Sequence, residues 1–143
     1  MKSILVDIDH TVSNAFWRDS MIGTSSWDEY HLASENDPPL LDVVELLRHL
    51  RGIYTIVGMT GRSEKFRTIT MRWCLHHTVS LDELLMRPDG IFLPAPEIKR
   101  QMVVKRFMNP LSEIAFVLED RDDCCTMFRG LGLTVLQVFG RRQ

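Results

Sequence analysis

The stretch "SILVDIDHT" (residues 3–11) is the part of the sequence that decides the fold. Residues 3–8 are mostly apolar and rich in branched side chains, which is typical of a strand buried on both faces of a sheet. Asp7 and Asp9 stand at the end of this run, separated by one residue, Ile8. Because successive side chains of an extended segment alternate in direction, both carboxylates are expected to point the same way.

Four further apolar runs follow along the chain, and helical patterns separate them. The predicted strands cover residues 53–59, 84–90, 114–119 and 133–139. The predicted helices cover residues 37–51, 63–77, 97–108 and 121–132. Asp37 and Ser63 are the expected N-caps of the first two helices. Ser80 and Glu83 form a capping-box pattern for a short turn. This alternation predicts an α/β fold around a central, mainly parallel five-stranded sheet.

Composition indicates one soluble globular domain over residues 1–143, since 45% of the residues are hydrophobic and 25% are charged. The net charge of -2 is unevenly distributed, because residues 1–60 hold four basic and nine acidic residues. An acidic first part and a basic remainder suit a cation site that faces an anionic substrate. No apolar stretch approaches the roughly 20 residues of a membrane span, and a signal peptide is not expected.

Residues 14–37 show no sustained period and mix aromatic with polar side chains, so an irregular, partly helical insertion is expected there. The three cysteines are Cys74, Cys124 and Cys125. An odd number without regular spacing favours reduced thiols and a cytoplasmic protein.

Polar residues follow three of the predicted strands. Asp7 and Asp9 follow the first, Thr60-Gly61-Arg62 follows the second, and Glu119 with Asp120 follows the fourth. Each motif alone is common in solvated turns. If the strands are parallel, all three meet at one edge of the sheet, where ligands of such folds bind. The joint occurrence therefore indicates a functional site.

The residue types at this edge suit phosphoryl transfer. A carboxylate cluster can hold Mg²⁺ through oxygen ligands. One carboxylate can attack phosphorus and form an aspartyl-phosphate, and a second can protonate the leaving oxygen and later activate water. A threonine hydroxyl and a lysine ammonium can stabilise the phosphate.

Four segments resemble the motifs of haloacid dehalogenase (HAD) superfamily phosphatases: "DIDHT", "MTGR", a lysine within "IKRQMVVK", and "LEDRDD". Within that superfamily, "MRPDG" and "FVLEDRDDCCTMFRGLGLTVLQV" are similar to the phosphatase domain of bacteriophage polynucleotide kinase/phosphatase and its stand-alone relatives. The resemblance spans essentially the whole chain. It implies a Rossmann-like three-layer sandwich with a small cap at residues 14–37, after the first strand. No P-loop motif occurs, so a kinase half is not expected.

The resemblance implies roles for the acidic residues. Asp7 would be the nucleophile and a Mg²⁺ ligand. Asp9 would be the general acid and base, with its backbone carbonyl on the metal. Asp120 would bind Mg²⁺, and Glu119 would assist directly or through water. Glu119 stands where the family more often has Asp, and His10 stands where it usually has Gly.

The resemblance also implies substrate contacts. Thr60 would hold the transferring phosphate together with Gly61, and Arg62 and Arg87 would lie near that phosphate or at the mouth of the site. Surface arginines are the alternative for the last two.

Two lysines compete for the catalytic position. Lys105 follows two valines, as the family lysine does, whereas Lys99 lies further from Glu119 and suits the loop length. We favour Lys105 on the Val-Lys match.

The aromatic residues of the insertion leave two interpretations open. Phe16, Trp17, Trp27 and Tyr30 either stack on a nucleobase or form the small core of the cap.

The predicted function is a Mg²⁺-dependent phosphomonoesterase acting on nucleotide or polynucleotide ends, with 3′-phosphates favoured. One alternative is a small-molecule phosphatase, such as a nucleoside monophosphate 5′-phosphatase; another is a non-catalytic binding domain. A separate kinase or ligase partner is compatible with the resemblance. The expected location is the cytoplasm, or the host cytoplasm for a phage-encoded protein.

Overall fold

A computed structural model describes residues 1–108 and 111–138. It contains one five-stranded sheet in the order β3-β2-β1-β4-β5, and every neighbouring pair is parallel. The strands are β1 Ser3–Val6, β2 Thr55–Ser63, β3 Glu83–Arg87, β4 Ile114–Glu119 and β5 Val135–Gln137. The predicted α/β fold with a parallel five-stranded sheet is confirmed.

The central strand β1 is buried on both faces. Ile4 and Val6 are fully buried in one apolar core, whereas Leu5, at 1% exposure, lies in the other. Because side chains alternate along a strand, a continuous apolar run is needed to supply both cores at once.

Helices cover both faces of the sheet. They are α1 Trp27–Leu32, α2 Leu41–Leu50, α3 Arg67–His76, α4 Ala95–Phe107 and α5 Asp122–Gly130. Val44 and Leu47 of α2 and Trp73 of α3 belong to the core of Ile4 and Val6. Val103 of α4 and Phe128 of α5 belong to the core of Leu5. The molecule is therefore a three-layer α/β/α sandwich.

Several predicted boundaries need correction. Asp37 is not a helix cap: α2 has Leu40 at its N-cap position, and the Asp37 side chain is fully buried in ion pairs. The helical turn predicted from Ser80 and Glu83 is wrong, because Glu83 begins β3. Ser63 does accept a hydrogen bond from the Lys65 N–H at 3.4 Å, as a cap should. The predicted end of the fifth strand, Phe139, lies outside the described residues.

The insertion between β1 and α2 is built from short helical pieces. It contains a 3-10 turn at Phe16–Met21, then α1, then a second 3-10 turn at Ala33–Asn36. An ion pair between Asp28 and Lys65, at 2.7 Å, joins the insertion to the segment after β2. The insertion thus sits beside the carboxyl ends of the central strands.

Across residues 1–108 and 111–138, we find no helix with the length and apolar character required to cross a bilayer.

Candidate active site

A tight turn after β1 presents the two aspartates. The carbonyl oxygen of Ile8 accepts hydrogen bonds from the N–H groups of Thr11, Val12 and Ser13, at 3.2, 3.0 and 3.1 Å. These three hydrogen bonds form a tight turn directly after β1, and this turn holds Asp7 and Asp9 at the carboxyl edge of the sheet.

His10 occupies the position in this turn where a glycine is usual. Its φ angle is 63°, in the left-handed region that glycine adopts most easily. The His10 ring lies 4.2 Å from that of Phe16, and its Nδ1 atom has no hydrogen-bond partner among the described residues. The turn geometry therefore explains the family glycine, and this chain meets the same geometry with a strained histidine.

A buried lysine fixes the Asp7 carboxylate. Lys99 Nζ donates to Asp7 Oδ1 at 2.7 Å and to Glu119 Oε2 at 2.6 Å, while Thr11 Oγ1 donates to Asp7 Oδ2 at 3.0 Å. Burial alone would lower the pKa of Lys99, but the negative charges of Asp7 and Glu119 raise it well above its usual range. The ammonium group therefore stays charged and holds Asp7 in one orientation.

The choice of Lys105 as the site lysine is wrong. Lys105 is exposed, whereas Lys99 is 3% exposed. Both lie on α4, but at about 100° per residue Lys105 is turned by about 240° from Lys99 and faces away from the site. The match to a Val-Lys pair was misleading, because it ignored the phase of the helix.

Asp7, Glu119 and Asp120 form an acidic cluster whose carboxylate oxygens lie within 4.8 Å of one another. Glu119 Oε1 accepts from the backbone N–H groups of Asp120 and Arg121, at 3.1 and 3.2 Å. The pKa of Asp120 is raised from 3.8 to about 9. Burial is the largest cause, the charge of Asp7 and a hydrogen bond with it come next, and Glu119 acts in the same two ways.

The donor set of this cluster fits a small, hard divalent cation. It offers only carboxylate oxygens, which is the ligand type that Mg²⁺ prefers. The repulsion that raises the pKa of Asp120 is also what such a cation would relieve. Asp120 is a better candidate for a ligand than Glu119, since both oxygens of Glu119 already accept hydrogen bonds from Lys99 and the backbone, whereas the hydrogen bond from Thr11 Oγ1 to Asp120 is long, at 3.4 Å.

Asp9 has different neighbours from Asp7. Its carboxylate accepts from Arg62 at 2.6 and 3.1 Å and from Arg18 at 2.9 Å. Burial would raise the pKa of Asp9, but the charge of and hydrogen bonds from Arg62, with the charge of Arg18, lower it well below its usual range. The predicted acid and base is therefore held ionised in this structure.

Arg18 and Asp37 form an ion pair next to Asp9, and the sequence marks neither of them as a site residue. Both side chains are fully buried, and they form a bidentate pair with Nε–Oδ1 and Nη2–Oδ2 distances of 2.7 and 2.6 Å. Neither residue stands in a recognisable motif. The one available signal is general: an arginine that becomes buried needs a carboxylate partner.

Thr60 and Gly61 lie in the last four residues of β2, because this strand continues to Ser63, beyond the end that the sequence predicts at residue 59. Thr60 is fully buried, and its hydroxyl oxygen accepts from the Arg62 N–H at 3.2 Å. The Gly61 carbonyl oxygen accepts from Arg87 Nε at 2.8 Å. The structure thus brings Thr60, Gly61 and Arg62 to the edge that carries the aspartates.

Arg87 holds loops together. Besides Gly61, its guanidinium donates to the carbonyl oxygens of Ile91 and Leu93, at 3.2 and 2.5 Å. It makes no ion pair among the described residues, and its contact with substrate stays a prediction.

The aromatic residues of the insertion divide into two groups. Tyr30 is buried and lies 4.4 Å beneath the Arg18 guanidinium, and Phe16 packs on His10, so these two rings make internal contacts. Trp17 and Trp27 are 47% and 63% exposed, and they are the two that remain available to a ligand.

Comparison with known proteins identifies the family. The family model for the phosphatase domain of polynucleotide kinase PNKP matches residues 1–140. The chain belongs to the PNKP phosphatase domain family. The earlier resemblance to HAD superfamily phosphatases is thereby confirmed. No curated protein sequence matches this PNKP-type phosphatase domain.

Solved structures show the same fold. A chain in the structure of a Pnkp1/Rnl/Hen1 RNA repair complex is 24% identical, with a TM-score of 0.83, over 99% of this PNKP-type domain and 43% of the matched chain. A chain in a second Pnkp1/Rnl/Hen1 complex is 23% identical with a TM-score of 0.80, over 99% of this domain and 46% of the matched chain. This domain therefore spans less than half the length of those chains. A HAD family enzyme from Bacteroides thetaiotaomicron, solved with magnesium and inorganic phosphate, is 13% identical with a TM-score of 0.61, over 100% and 96% of the chains.

The lysine assignment can be tested with two variants of one helix. We expect Lys99→Met to reduce phosphate release from an aryl phosphate by on the order of 10²-fold or more, because it removes the only ammonium that contacts Asp7 among the described residues. Lys105→Met should stay close to wild type. Thermal melts of both variants would establish that each is folded. Loss of activity in Lys105→Met with retention in Lys99→Met would contradict the assignment.

The acidic cluster predicts a pH-dependent stability. Folding raises the pKa of Asp120 from 3.8 to about 9, so its contribution to the free energy of unfolding is complete below the lower value and is lost as pH rises through the higher one. Without divalent cations, the melting temperature should therefore fall from about pH 6 to about pH 9. Added Mg²⁺ should raise it, and more so at the higher pH, because the ionised form binds the cation.

Asp120→Asn is the control for this measurement. It should flatten the pH dependence and abolish most of the Mg²⁺ effect. An equal response in Asp120→Asn and wild type would exclude Asp120 as the group responsible.

Proposed function

We propose that this chain is a Mg²⁺-dependent phosphomonoesterase that removes 3′-phosphates from polynucleotide ends through an aspartyl-phosphate on Asp7. The observation that carries the proposal is the fixed Asp7 carboxylate, with Lys99 on one oxygen and Thr11 on the other. A charged, immobilised carboxylate at the end of a central strand is a prepared nucleophile.

In the first step, an Asp7 oxygen attacks phosphorus and forms the acyl-phosphate bond, while the bond from phosphorus to the leaving oxygen breaks. Asp9, in its protonated form, gives its proton to that oxygen, so that the nucleic acid leaves as an alcohol. Thr60 and the backbone after β2 hold the non-bridging oxygens of the phosphoryl group in the transition state.

In the second step, Asp9 takes a proton from water, and the water oxygen attacks phosphorus. The bond between Asp7 and phosphorus breaks, inorganic phosphate leaves, and Asp9 carries the proton for the next cycle. Lys99 stabilises the carboxylate of Asp7 as it becomes free again. When bound, Mg²⁺ would neutralise negative charge shared by the phosphate and the acidic cluster.

Asp9 must exchange partners during this cycle. Arg62 and Arg18 keep its pKa low in the free protein, which suits a base but not an acid. A substrate phosphate dianion competes for the same guanidinium groups. Once Arg62 turns to the phosphate, less positive charge remains at Asp9, and its pKa rises toward the value that an acid requires.

The polymeric substrate is supported by the cap. Residues 14–37 form only short helical segments beside the site, and two exposed tryptophans, Trp17 and Trp27, lie on them. Exposed aromatic rings next to a phosphate site can stack on bases of a single strand. The matched Pnkp1 chains are part of complexes with Rnl and Hen1, so we propose that this chain also works with a separate ligase or kinase.

A reducing compartment suits the three cysteines. Cys74, Cys124 and Cys125 are all free and buried. We place the protein in the cytoplasm of its cell, or of the host if a phage encodes it.

The nucleophile is tested by Asp7→Asn. We expect phosphate release from an aryl phosphate to fall by on the order of 10³-fold or more, because the amide cannot form the acyl-phosphate. Asp122→Asn is a matched control, since Asp122 is an exposed acid two residues beyond Asp120, and among residues 1–108 and 111–138 its side chain bonds only to Gln137. Full activity of Asp7→Asn would overturn the mechanism.

The substrate is tested by kcat/KM on a panel. A 3′-phosphorylated oligonucleotide should be hydrolysed more efficiently than 3′- or 5′-mononucleotides, because only the oligonucleotide can extend over the cap. Preference for a nucleoside 5′-monophosphate would instead favour the small-molecule phosphatase. Absence of Mg²⁺-dependent release from every member of the panel would indicate a non-catalytic domain.

A further inference from the structure

Three buried charged groups meet behind Asp9: Arg18, Arg62 and Asp37. Arg18 and Arg62 both donate to Asp9, and both also form ion pairs with Asp37, Arg18 closely at 2.6 Å and Arg62 more distantly at 3.8 Å. The Asp37 and Arg18 side chains are fully buried, whereas the Asp9 side chain is 26% exposed. Asp37 is therefore the one carboxylate of this cluster that cannot reach substrate.

Asp37 determines the orientation of Arg18. Its two oxygens engage Nε and Nη2 of the guanidinium, at 2.7 and 2.6 Å, which fixes the plane of that group. Arg18 Nη1 donates to the Tyr30 carbonyl oxygen at 3.1 Å, and the Tyr30 ring lies beneath the guanidinium. With these contacts made, Nη2 is directed at Asp9, 2.9 Å away.

Asp37 accepts hydrogen bonds from both the insertion and helix α3. Trp17 Nε1, from the insertion, donates to Asp37 Oδ1 at 2.8 Å. Trp73 Nε1, from α3, donates to the Asp37 carbonyl oxygen at 2.9 Å. One residue therefore connects the insertion, the helix layer and the arginine that contacts Asp9.

We propose that Asp37 is a positioning residue that aims Arg18 at Asp9 and balances its charge. This inference rests on the proposed function, because Asp9 is the group that it serves. In the free protein, two guanidinium groups face the two carboxylates of Asp9 and Asp37. When Arg62 turns to the substrate phosphate, Asp37 still neutralises Arg18, so Asp9 is released from a strong ion pair.

Loss of the Asp37 charge has two separable consequences. Arg18 becomes free to form a stronger pair with Asp9, which holds Asp9 away from the leaving oxygen and lowers kcat. The site also gains one unit of net positive charge, so an anion binds at least as tightly as before. If Asp37 were only structural, its loss would weaken phosphate binding, because a loosened site binds phosphate less tightly.

The test compares Asp37→Asn with wild type in two quantities, both with Mg²⁺ present. One is kcat for an aryl phosphate, and the other is the Kd for inorganic phosphate, measured by calorimetry. We expect kcat to fall by about 10- to 100-fold, the scale of a small misplacement of a reacting group. We expect the Kd to be unchanged or lower. Asp28→Asn is the matched control, because it breaks the exposed ion pair between the insertion and Lys65 and should change neither quantity.

A double-mutant cycle with Arg18→Lys shows whether Asp37 acts through Arg18. The double variant should be no more than about threefold slower than Arg18→Lys alone, since residues acting as a unit are not additive. Wild-type kcat in Asp37→Asn, weakened phosphate binding, or losses that multiply in the cycle would each overturn the proposal.

The proposal can still be tested if Asp37→Asn does not fold or if the wild type shows no activity. If Asp37→Asn does not fold, Trp17→Phe removes the bond from Trp17 Nε1 to Asp37 Oδ1 and keeps an aromatic ring at a side chain that is 47% exposed. An aryl phosphate is the substrate for this variant, because it has no base that could stack on residue 17. The kcat of this variant should then fall with the phosphate Kd retained, and an unchanged kcat would overturn the proposal. If wild type releases no phosphate, the proposed function fails, whereas the phosphate titration still tests the charge balance at Asp37.

Discussion

The contact on which the site depends is that of the Lys99 ammonium with Asp7 and Glu119, at 2.7 and 2.6 Å. Three carboxylates are brought together at the ends of β1 and β4, and a buried cluster of that kind is unstable without positive charge. Lys99 supplies one positive charge and also fixes the direction of Asp7. The raised pKa of Asp120 shows that one charge is not enough, which is why the cluster suits a divalent cation.

Asp7 and Asp9 are two residues apart and lie in opposite electrostatic surroundings. Asp7 shares its cluster with two other acids and one lysine, whereas Asp9 lies between two arginines. Neighbouring carboxylates with different environments are the usual basis for dividing nucleophile and proton-transfer roles. The parallel sheet makes this possible, because it brings the loop after β1 between those after β2 and β4.

Local patterns were sufficient to predict the strands and the groups at their ends. The apolar runs of β1 and β4, and the acids Asp7 and Asp120 that follow them, can be predicted from sequence alone because strand ends in a parallel sheet share one edge. Thr60 is predicted after the second strand, but β2 continues past it to Ser63. The motif favours Lys105 over Lys99, whereas the choice between the two lysines depends on helix phase and on packing against Asp7. Arg18 and Asp37 could not be predicted, since each is defined by the other across the insertion.

The same limit explains the error at Asp37. An acid before two prolines matches a helix start, and only the fold shows that its side chain is needed elsewhere. Local propensity gave way to a buried ion pair, and the helix began at Leu41 without a side-chain cap.

The most direct test of the account is to trap the covalent intermediate. The Asp9→Asn variant is mixed with 2,4-dinitrophenyl phosphate and Mg²⁺ and quenched in acid. Dinitrophenolate leaves this substrate without a proton from residue 9, but the variant lacks the base that activates water to hydrolyse the acyl-phosphate. Peptide mass spectrometry should find one phosphoryl group on Asp7. Release of dinitrophenol with no phosphoryl group on the protein, or with that group on another residue, would contradict the assignment of Asp7 as the nucleophile.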